Sequence, residues 1–328
     1  MSAPPSQLTF RSIMGVPEYQ DFEFQPNWIF YTICVMIAYS IIPIFIFWKI
    51  TFVLFMKKSK IKKSGIRLEI FYSFLLMQFW NIVLIIADFA MFRIGYTTIL
   101  TRYCAAENPQ ALLKTIVFVY FWATYASQLF TILFCALRVA VLYSVAKEIS
   151  DKVIKIVPPI IVTFGLLAAL PHFSTDSYCL QLSNPMIFGS VLIISKFHSS
   201  TLSMVFFNLT IYLCTTITIT ILNILMMMKV RRKSSAGIIT VRSATQSAKI
   251  EKTLTGTMII LLFPMIVSLL ISIGEILRNS YFSYILLIRP FFLDARVHIV
   301  TCYFYMTHPI FKKKNPQSSV SIMSRATL

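Results

Sequence analysis

The chain has 328 residues, of which 57% are hydrophobic and only 13% are charged. Soluble domains carry about 45–50% apolar and about 25% charged residues, so this composition predicts an integral membrane protein rather than one soluble core. Lysine and arginine outnumber aspartate and glutamate by 30 to 12. Nucleic-acid-binding proteins share that balance, but the long apolar runs exclude this class.

In chain order, the first 27 residues are polar and lack the basic start and apolar centre of a cleavable signal peptide. The first span is therefore expected to insert as an uncleaved anchor. A membrane helix needs about 20 mostly apolar residues. Seven stretches reach or approach this length: Trp28–Met56, Leu68–Phe92, Leu113–Arg138, Ile156–Leu170, Ser203–Met228, Leu254–Ile273 and Tyr281–Met306.

The fourth stretch is the weakest, because it is short and contains Pro158 and Pro159. The apolar run Met186–Ser195 is shorter still, and we place it in a loop. These assignments predict an all-α membrane protein, a seven-transmembrane helix bundle. Its parts are an extracellular segment at 1–27, a receptor domain at 28–306 and a cytoplasmic tail at 307–328.

Charge sets the expected orientation of the bundle. Twenty lysines and arginines fall in segments 57–67, 139–155, 229–253 and 307–328, against five in the segments on the other side. Positive charge stays on the cytoplasmic side of a membrane. Seven spans with the N-terminus outside and the C-terminus in the cytoplasm satisfy this rule, whereas six spans do not.

Two of the six cysteines, Cys104 and Cys179, lie in loops, and both of these loops are predicted to face outward. The outer side is oxidising, which favours a disulfide between them. The alternative is a pair of free thiols. The four other cysteines lie inside spans, where single thiols usually serve packing.

Enzymatic signatures are absent from the sequence. It has no H-E-x-x-H, no G-x-S-x-G and no phosphate-binding G-x-x-x-x-G-K-[ST] motif. The four histidines do not have the spacing of metal ligands. The seventh span contains no lysine, which excludes a retinal Schiff base there. We therefore expect neither an enzyme nor a metal or cofactor.

Polar residues inside the spans recur at helical spacing. Gln78, Asn81 and Asp88 share a face of the second span, and Tyr120, Thr124, Ser127, Gln128 and Thr131 form a stripe on the third. In the seventh span, Arg289 and Arg296 share one face, and Asp294, His298 and Thr301 share another. Such residues usually face the interior of the bundle, where interhelical hydrogen bonds and ion pairs are the simpler explanation.

A ligand pocket that opens outward is the alternative explanation. It would be lined by Asp88, Phe121, Thr124, Tyr125 and Arg289. A buried arginine needs an anionic partner. Asp88, Asp294, Glu275 or an acid group of the ligand could each supply it, and Arg93 is expected just beyond the outer end of its helix.

Basic residues predict contact between the inner face and anionic lipid. A G-protein docking surface is a further use of the same charge, with Arg138, Arg231, Arg232 and Lys233 as the candidate coupling residues. Arg138 ends the third span, where many seven-helix receptors carry an arginine. Here no acid is adjacent to it, and the seventh span lacks an Asn-Pro-x-x-Tyr sequence.

The sequence resembles the nematode serpentine receptor class U (Sru) chemoreceptors, within the broader serpentine class gamma group. The order and spacing of several motifs carry the resemblance over nearly the whole chain. These motifs are Pro17–Tyr19, Phe22–Phe24, Thr97–Pro109, Phe134–Arg138, Cys179–Leu182, Glu251–Thr255, Ile288–Pro290, Asp294–Arg296, Phe304–Tyr305 and His308–Lys312.

The resemblance implies a seven-helix receptor in the plasma membrane of chemosensory cells, with a small-molecule ligand and a heterotrimeric G protein as partners. It supplies no ligand and no binding residues. Two other classes stay open on the sequence alone. They are a seven-helix channel or transporter that does not couple to G proteins, and a membrane chaperone or scaffold that does not signal.

Overall fold

The computed structural model of the protein describes residues 12–56, 67–106, 109–143, 147–196, 201–235, 256–262, 266–267, 269–270, 273, 282–308 and 311. Long helices dominate these residues. Their bounds are Trp28–Met56 (α2), Leu68–Asp88 (α3), Gln110–Leu142 (α6), Lys147–Ser174 (α7), Thr201–Ser235 (α8) and Phe282–Thr307 (α9). The short helices are Pro17–Gln20 (α1), Ile94–Tyr96 (α4) and Thr101–Ala105 (α5).

Five helical stretches among the described residues are long and apolar enough to cross a membrane: Trp28–Met56, Leu68–Tyr96, Gln110–Leu142, Glu148–Ser174 and Phe206–Lys229. Helix α9 is long enough but more polar, because it carries Arg289, Asp294 and Arg296. Large apolar side chains such as Phe45, Trp48 and Phe164 stay exposed on the bundle surface, as lipid contact requires.

The fourth predicted span is longer in the structure than in the sequence prediction. Helix α7 covers 28 residues and accommodates Pro158, Pro159 and Pro171 without ending. Membrane helices tolerate proline because neighbouring helices and local adjustments satisfy the freed backbone groups. The predicted loop position of Met186–Ser195 also needs refinement, because its second half belongs to a β-strand.

Helix α6 is the central element of the bundle. It packs against α3, α7 and α8, and α9 packs against α2 and α3. In the most apolar stretch of α6, 72% of the residues are buried, compared with 17% in α7 and 28% in α2. The polar stripe of α6 is therefore buried within the bundle, whereas α2 and α7 lie at the periphery.

The ends of the helices give the direction of the chain. Helices α2, α6 and α9 start at the end of the bundle that carries Cys104 and Cys179, which we call the disulfide end. Helix α8 starts there too, after the loop that holds Cys179, and runs toward the basic segment at 229–253. We call the opposite end, where the basic segments attach, the basic end.

A return crossing is needed between α8, which ends at the basic end, and α9, which starts at the disulfide end. Residues 256–262, 266–267, 269–270 and 273 are helical, and Met258 and Leu261 are buried in the core at the basic end. These residues correspond to the predicted sixth span. Together with the six long helices they give the seven crossings that the sequence predicts.

A β-hairpin covers the disulfide end. Strands Asp176–Gln181 (β1) and Val191–Lys196 (β2) pair antiparallel, with Asp176 opposite Lys196 and Gln181 opposite Val191. Helix α4 passes so close that a Cβ atom on Gly95 would lie 2.5 Å from the carbonyl oxygen of Val191. Only glycine fits at that position without displacing the hairpin.

The predicted disulfide is present in the structure. Cys104 of α5 and Cys179 of β1 are bonded, with their Cα atoms 5.8 Å apart, and both are buried. The N-terminal segment closes over this bond, since Ile13 N donates to Cys179 O at 3.2 Å and Gly15 N donates to Ala105 O at 3.0 Å. Hairpin, short helix and N-terminal segment thus form one cap.

Aromatic side chains fill the core at the basic end. Phe74 of α3 stacks on Phe304 of α9 with ring centroids 4.1 Å apart and meets Phe134 of α6 edge-on at 5.8 Å. His308 follows α9 and packs against Phe71 and Phe304, each at 5.0 Å. Ring packing therefore stabilises this end, whereas the ion pairs of Asp88 and Asp294 lie nearer the disulfide end.

Candidate functional site

Asp88 and Arg289, two of the predicted pocket residues, lie together in the interior of the bundle. Arg289 Nη1 donates to Asp88 Oδ1, and Arg289 Nη2 donates to Tyr120 Oη at 2.5 Å. The partner of Arg289 that the sequence left open is therefore Asp88. The contact joins α3, α6 and α9 at one point.

The sequence predicted Arg93 just beyond the outer end of its helix, and this prediction is wrong. Helix α3 continues through a π-helical turn, Phe89–Arg93, into α4, so Arg93 stays inside the bundle and is fully buried. In a regular α-helix, residues five apart point in different directions, whereas a π turn closes its hydrogen bond from i to i+5. Arg93 Nε can thus reach Asp88 Oδ2 at 2.8 Å.

Asp294 completes the arrangement on the α9 side. Arg93 donates to both of its oxygens, with Nη2 to Oδ1 at 2.6 Å and Nη1 to Oδ2 at 2.9 Å. This is the two-pronged geometry that makes arginine–carboxylate pairs strong. Tyr39 of α2 donates its hydroxyl to Asp294 Oδ2 as a further ligand.

We call the group of Tyr39, Asp88, Arg93, Tyr120, Arg289 and Asp294 the charge network. Its charges alternate along Arg289, Asp88, Arg93 and Asp294, so two positive and two negative groups cancel. Aromatic faces complete the surroundings, with Phe89 4.1 Å from the Arg93 guanidinium carbon and Phe92 4.2 Å from that of Arg289. Removing one member of such a buried set leaves an uncompensated charge.

Two of the three other predicted pocket residues, Phe121 and Tyr125, contact α7 and α8. Phe121 contacts the Tyr120 ring at 5.3 Å and stacks on His172 of α7 at 3.7 Å. Tyr125 is buried and donates to Asn208 of α8. Thr124 donates to its own helix at Tyr120 O over 2.8 Å, so its hydroxyl is already engaged.

A further buried arginine, Arg296, lies deeper in the bundle. Arg296 Nη2 donates to Thr131 Oγ1 at 2.6 Å and to Ser127 O at 3.2 Å. Ser127 Oγ in turn donates to Asn81 Oδ1 at 2.6 Å. We call Asn81, Ser127, Thr131 and Arg296 the Arg296 cluster, and all four are buried.

The candidate coupling residues lie toward the basic end. Arg138 is 2% exposed, inside α6 rather than at its end, because the helix continues to Leu142. Arg231, Arg232 and Lys233 belong to the last turns of α8. The basic segment at 57–66 and the residues from 236 to 255 lie outside the described part of the chain.

The sequence did not predict the roles of all residues in the site. The polar stripe of the third span indicated Tyr120, but a stripe does not say which of its members meets an arginine. Tyr39 carried no signal, because a single tyrosine in an apolar span is common at any position. Arg93 required knowledge of the π turn, which no residue pattern in Phe89–Arg93 announces.

These features define a multi-pass α-helical membrane protein whose helices meet at buried charged groups beneath a disulfide-tied cap. The family model of the serpentine type 7TM GPCR chemoreceptor Sru matches residues 13–314, and the chain belongs to this family. No curated protein matches the chain.

Proposed function

We propose that the protein is a chemosensory receptor that binds an external small molecule between its helices and signals through a heterotrimeric G protein. Membership of a chemoreceptor family supports the receptor class. The single observation that carries the proposal further is the charge network, which couples four helices through groups that a polar ligand can compete for.

Arg289 is the most exposed of the four charged members of the network. Its side chain is 11% exposed, whereas those of Asp88 and Arg93 are fully buried. A ligand with an anionic or strongly accepting group would compete with Asp88 and Tyr120 for this guanidinium. Asp88 would keep its bond to Arg93, so the network tolerates the exchange.

Phe121 and Tyr125 are proposed as the aromatic wall of the same pocket, with Thr124 contributing its methyl group. Phe121 contacts His172 of α7 and Tyr125 contacts Asn208 of α8, so a ligand on this wall would also alter how α7 and α8 pack against α6. A ligand favours one packing of the helices only if it binds that packing more tightly.

Helix α9 is the proposed route to the other end. It carries Arg289 and Asp294 in the charge network and Phe304 in the aromatic core at the basic end. A change in the contact between Arg289 and Asp88 would therefore shift α9 against α3 along its whole length.

For orientation we propose that the N-terminus and the disulfide end face outward, in the plasma membrane of sensory cells. The excess of basic residues in the opposite segments supports this. Arg231, Arg232 and Lys233 would then lie on the cytoplasmic side, near anionic lipid, as a coupling surface for the G protein. Arg138 would lie buried behind this surface and could contribute only when the helices move apart.

The test is a G-protein activation assay in cells that express the tagged receptor, screened with small organic acids and neutral odorants. We expect Arg289→Gln to lower ligand potency by about tenfold, the effect of about 1.4 kcal/mol of lost binding, while the surface amount stays near normal. The matched control is Lys114→Gln, which removes an exposed ion pair with Asp176.

Three results would count against the proposal. One is ligand-dependent current or uptake without G-protein activation, which indicates a channel or transporter. Another is an unchanged ligand response in Arg289→Gln at an equal surface amount. The third is a tagged copy in the animal that is absent from the cilia of sensory neurons.

A further inference from the structure

The charge network and the Arg296 cluster are related by the same step in three helices. Seven residues separate Asp88 from Asn81 in α3, Tyr120 from Ser127 in α6, and Arg289 from Arg296 in α9. Seven residues are two helical turns, or about 10 Å along the axis. Since α3 runs opposite to α6 and α9, all three steps lead deeper into the bundle.

The two sites differ at the position of the acid. Asp88 accepts from Arg289. Asn81, at the corresponding position of α3, carries no charge and accepts from Ser127, whose backbone carbonyl accepts from Arg296. The hydrogen-bond acceptors of Arg296, Thr131 Oγ1 and Ser127 O, are neutral as well. Among the described residues, no aspartate or glutamate forms an ion pair with Arg296.

Several buried donor groups at this depth also lack a hydrogen-bond partner among the described residues. Arg296 Nε and Asn81 Nδ2 have no hydrogen-bond partner in the described part of the chain, and neither has the amide of Gln78, one turn further along the same face of α3. Ser127 donates to Asn81 Oδ1 and so fixes the amide with its nitrogen unpaired. A buried cation without a counter-charge is costly, and each unpaired buried donor adds to the cost.

We infer that the Arg296 cluster binds a small monovalent anion, held by Arg296 Nε and Asn81 Nδ2 between α3 and α9. The unpartnered nitrogens are donors, and the net charge of the cluster is positive. A cation is therefore repelled, and an anion compensates both defects at once. Chloride and the carboxylate of a short organic acid share this chemistry.

The test uses the purified full-length receptor in detergent, with the melting temperature followed by fluorescence-detected size-exclusion after heating. Sodium chloride is titrated against sodium gluconate at constant ionic strength. We expect a saturable rise of about 3 °C with chloride, the size that ligand binding to the folded state gives. In Arg296→Gln the rise should vanish.

Arg289→Gln is the matched control, because it removes the arginine two turns away whose carboxylate partner is internal. It should keep the full chloride response. Asn81→Asp is the complementary variant, since the new carboxylate supplies the counter-charge from within. Its melting temperature in gluconate should equal that of the unaltered receptor in chloride. Chloride should no longer raise it.

Sodium acetate in place of chloride separates the two sources of the anion. Stabilisation by chloride indicates an inorganic ion, and stabilisation by acetate alone indicates an organic acid; both support the site. Equal melting in chloride, acetate and gluconate would overturn the inference. An undiminished chloride response in either Arg296→Gln or Asn81→Asp would overturn it too.

Discussion

The charge network and the Arg296 cluster lie on the same three helices, two turns apart, and each contains buried arginine. The two sites differ in the groups that pair with the arginine. Arg289 and Arg93 share two carboxylates, Asp88 and Asp294, in an alternating row without net charge. Arg296 lies among a threonine hydroxyl, a serine carbonyl and an asparagine, and none of these is charged. Among the described residues, the charge network is therefore neutral, whereas Arg296 has no carboxylate partner.

Because of this difference, the two sites would bind a ligand in different ways. Ions that are already neutralised gain little from a further partner, so a ligand at the charge network must replace an existing contact. At the Arg296 cluster an anion adds contacts without displacing a carboxylate. The side-chain difference between Asp88 and Asn81, an oxygen against a nitrogen, is sufficient to produce the contrast.

The largest effect is expected from Asp88→Asn, which turns the charge network into a second uncompensated site. Arg93 and Arg289 would then share the single carboxylate of Asp294, and loss of one partner of a buried pair costs about 3–5 kcal/mol. We expect the receptor to be retained inside the cell, measured as the surface fraction of a tagged copy. Asp176→Asn, at an exposed ion pair, should keep a normal surface fraction.

Loss of the disulfide should come next. Cys104→Ser, Cys179→Ser and the double variant should each lower stability by about 2–5 kcal/mol, because removal of either thiol breaks the same bond. Surface delivery of the three variants should fall by the same amount. Additive defects in the double variant would mean that the two cysteines act separately.

Substitution of Arg289 and Arg296, one at a time, should change stability differently at the two sites. Arg289→Gln leaves Asp88 paired with Arg93 and should cost about 1–3 kcal/mol, the value of a hydrogen-bonded charged contact. Arg296→Gln removes a charge without a counter-ion, so in chloride-free buffer its melting temperature should equal or exceed that of the unaltered receptor. A larger loss in Arg296→Gln than in Arg289→Gln would reverse the comparison.

The smallest effect is expected at Tyr125, with Tyr120 as its comparison. Tyr120→Phe removes an acceptor from a cation and should cost about 1.5–3 kcal/mol, whereas Tyr125→Phe removes a bond to the neutral Asn208 and should cost about 1 kcal/mol. Thermal unfolding of both variants in one buffer gives the comparison. Equal losses would show that Tyr120 does not depend on the charge of Arg289.

The spans and the disulfide followed from the sequence because each leaves a direct signal. Apolar length marks a membrane helix, and Cys104 and Cys179 were the only loop cysteines. Family membership was likewise visible in ordered motifs and is confirmed by the match over residues 13–314. The ligand and coupling roles of the named residues stay predictions.

Which charges meet could not be derived, since it depends on the register between helices. Helical spacing correctly grouped Asp88 with Asn81 and Arg289 with Arg296, but it offered several acids for Arg289 and none for Arg93. The π turn changes the direction of Arg93 by an amount that only the folded backbone shows. The hairpin escaped for a similar reason, because β2 lies in an apolar run too short to classify by length.

The most direct test of this account is the melting temperature of Asp88→Asn and Asn81→Asp in chloride-free buffer, each against the unaltered receptor. We expect shifts of the melting temperature with opposite signs. Asp88→Asn should melt earlier, because it removes a needed carboxylate, and Asn81→Asp should melt later, because it supplies one to Arg296. A lower melting temperature for Asn81→Asp would contradict the inference that Arg296, which has no carboxylate partner among the described residues, needs a counter-charge.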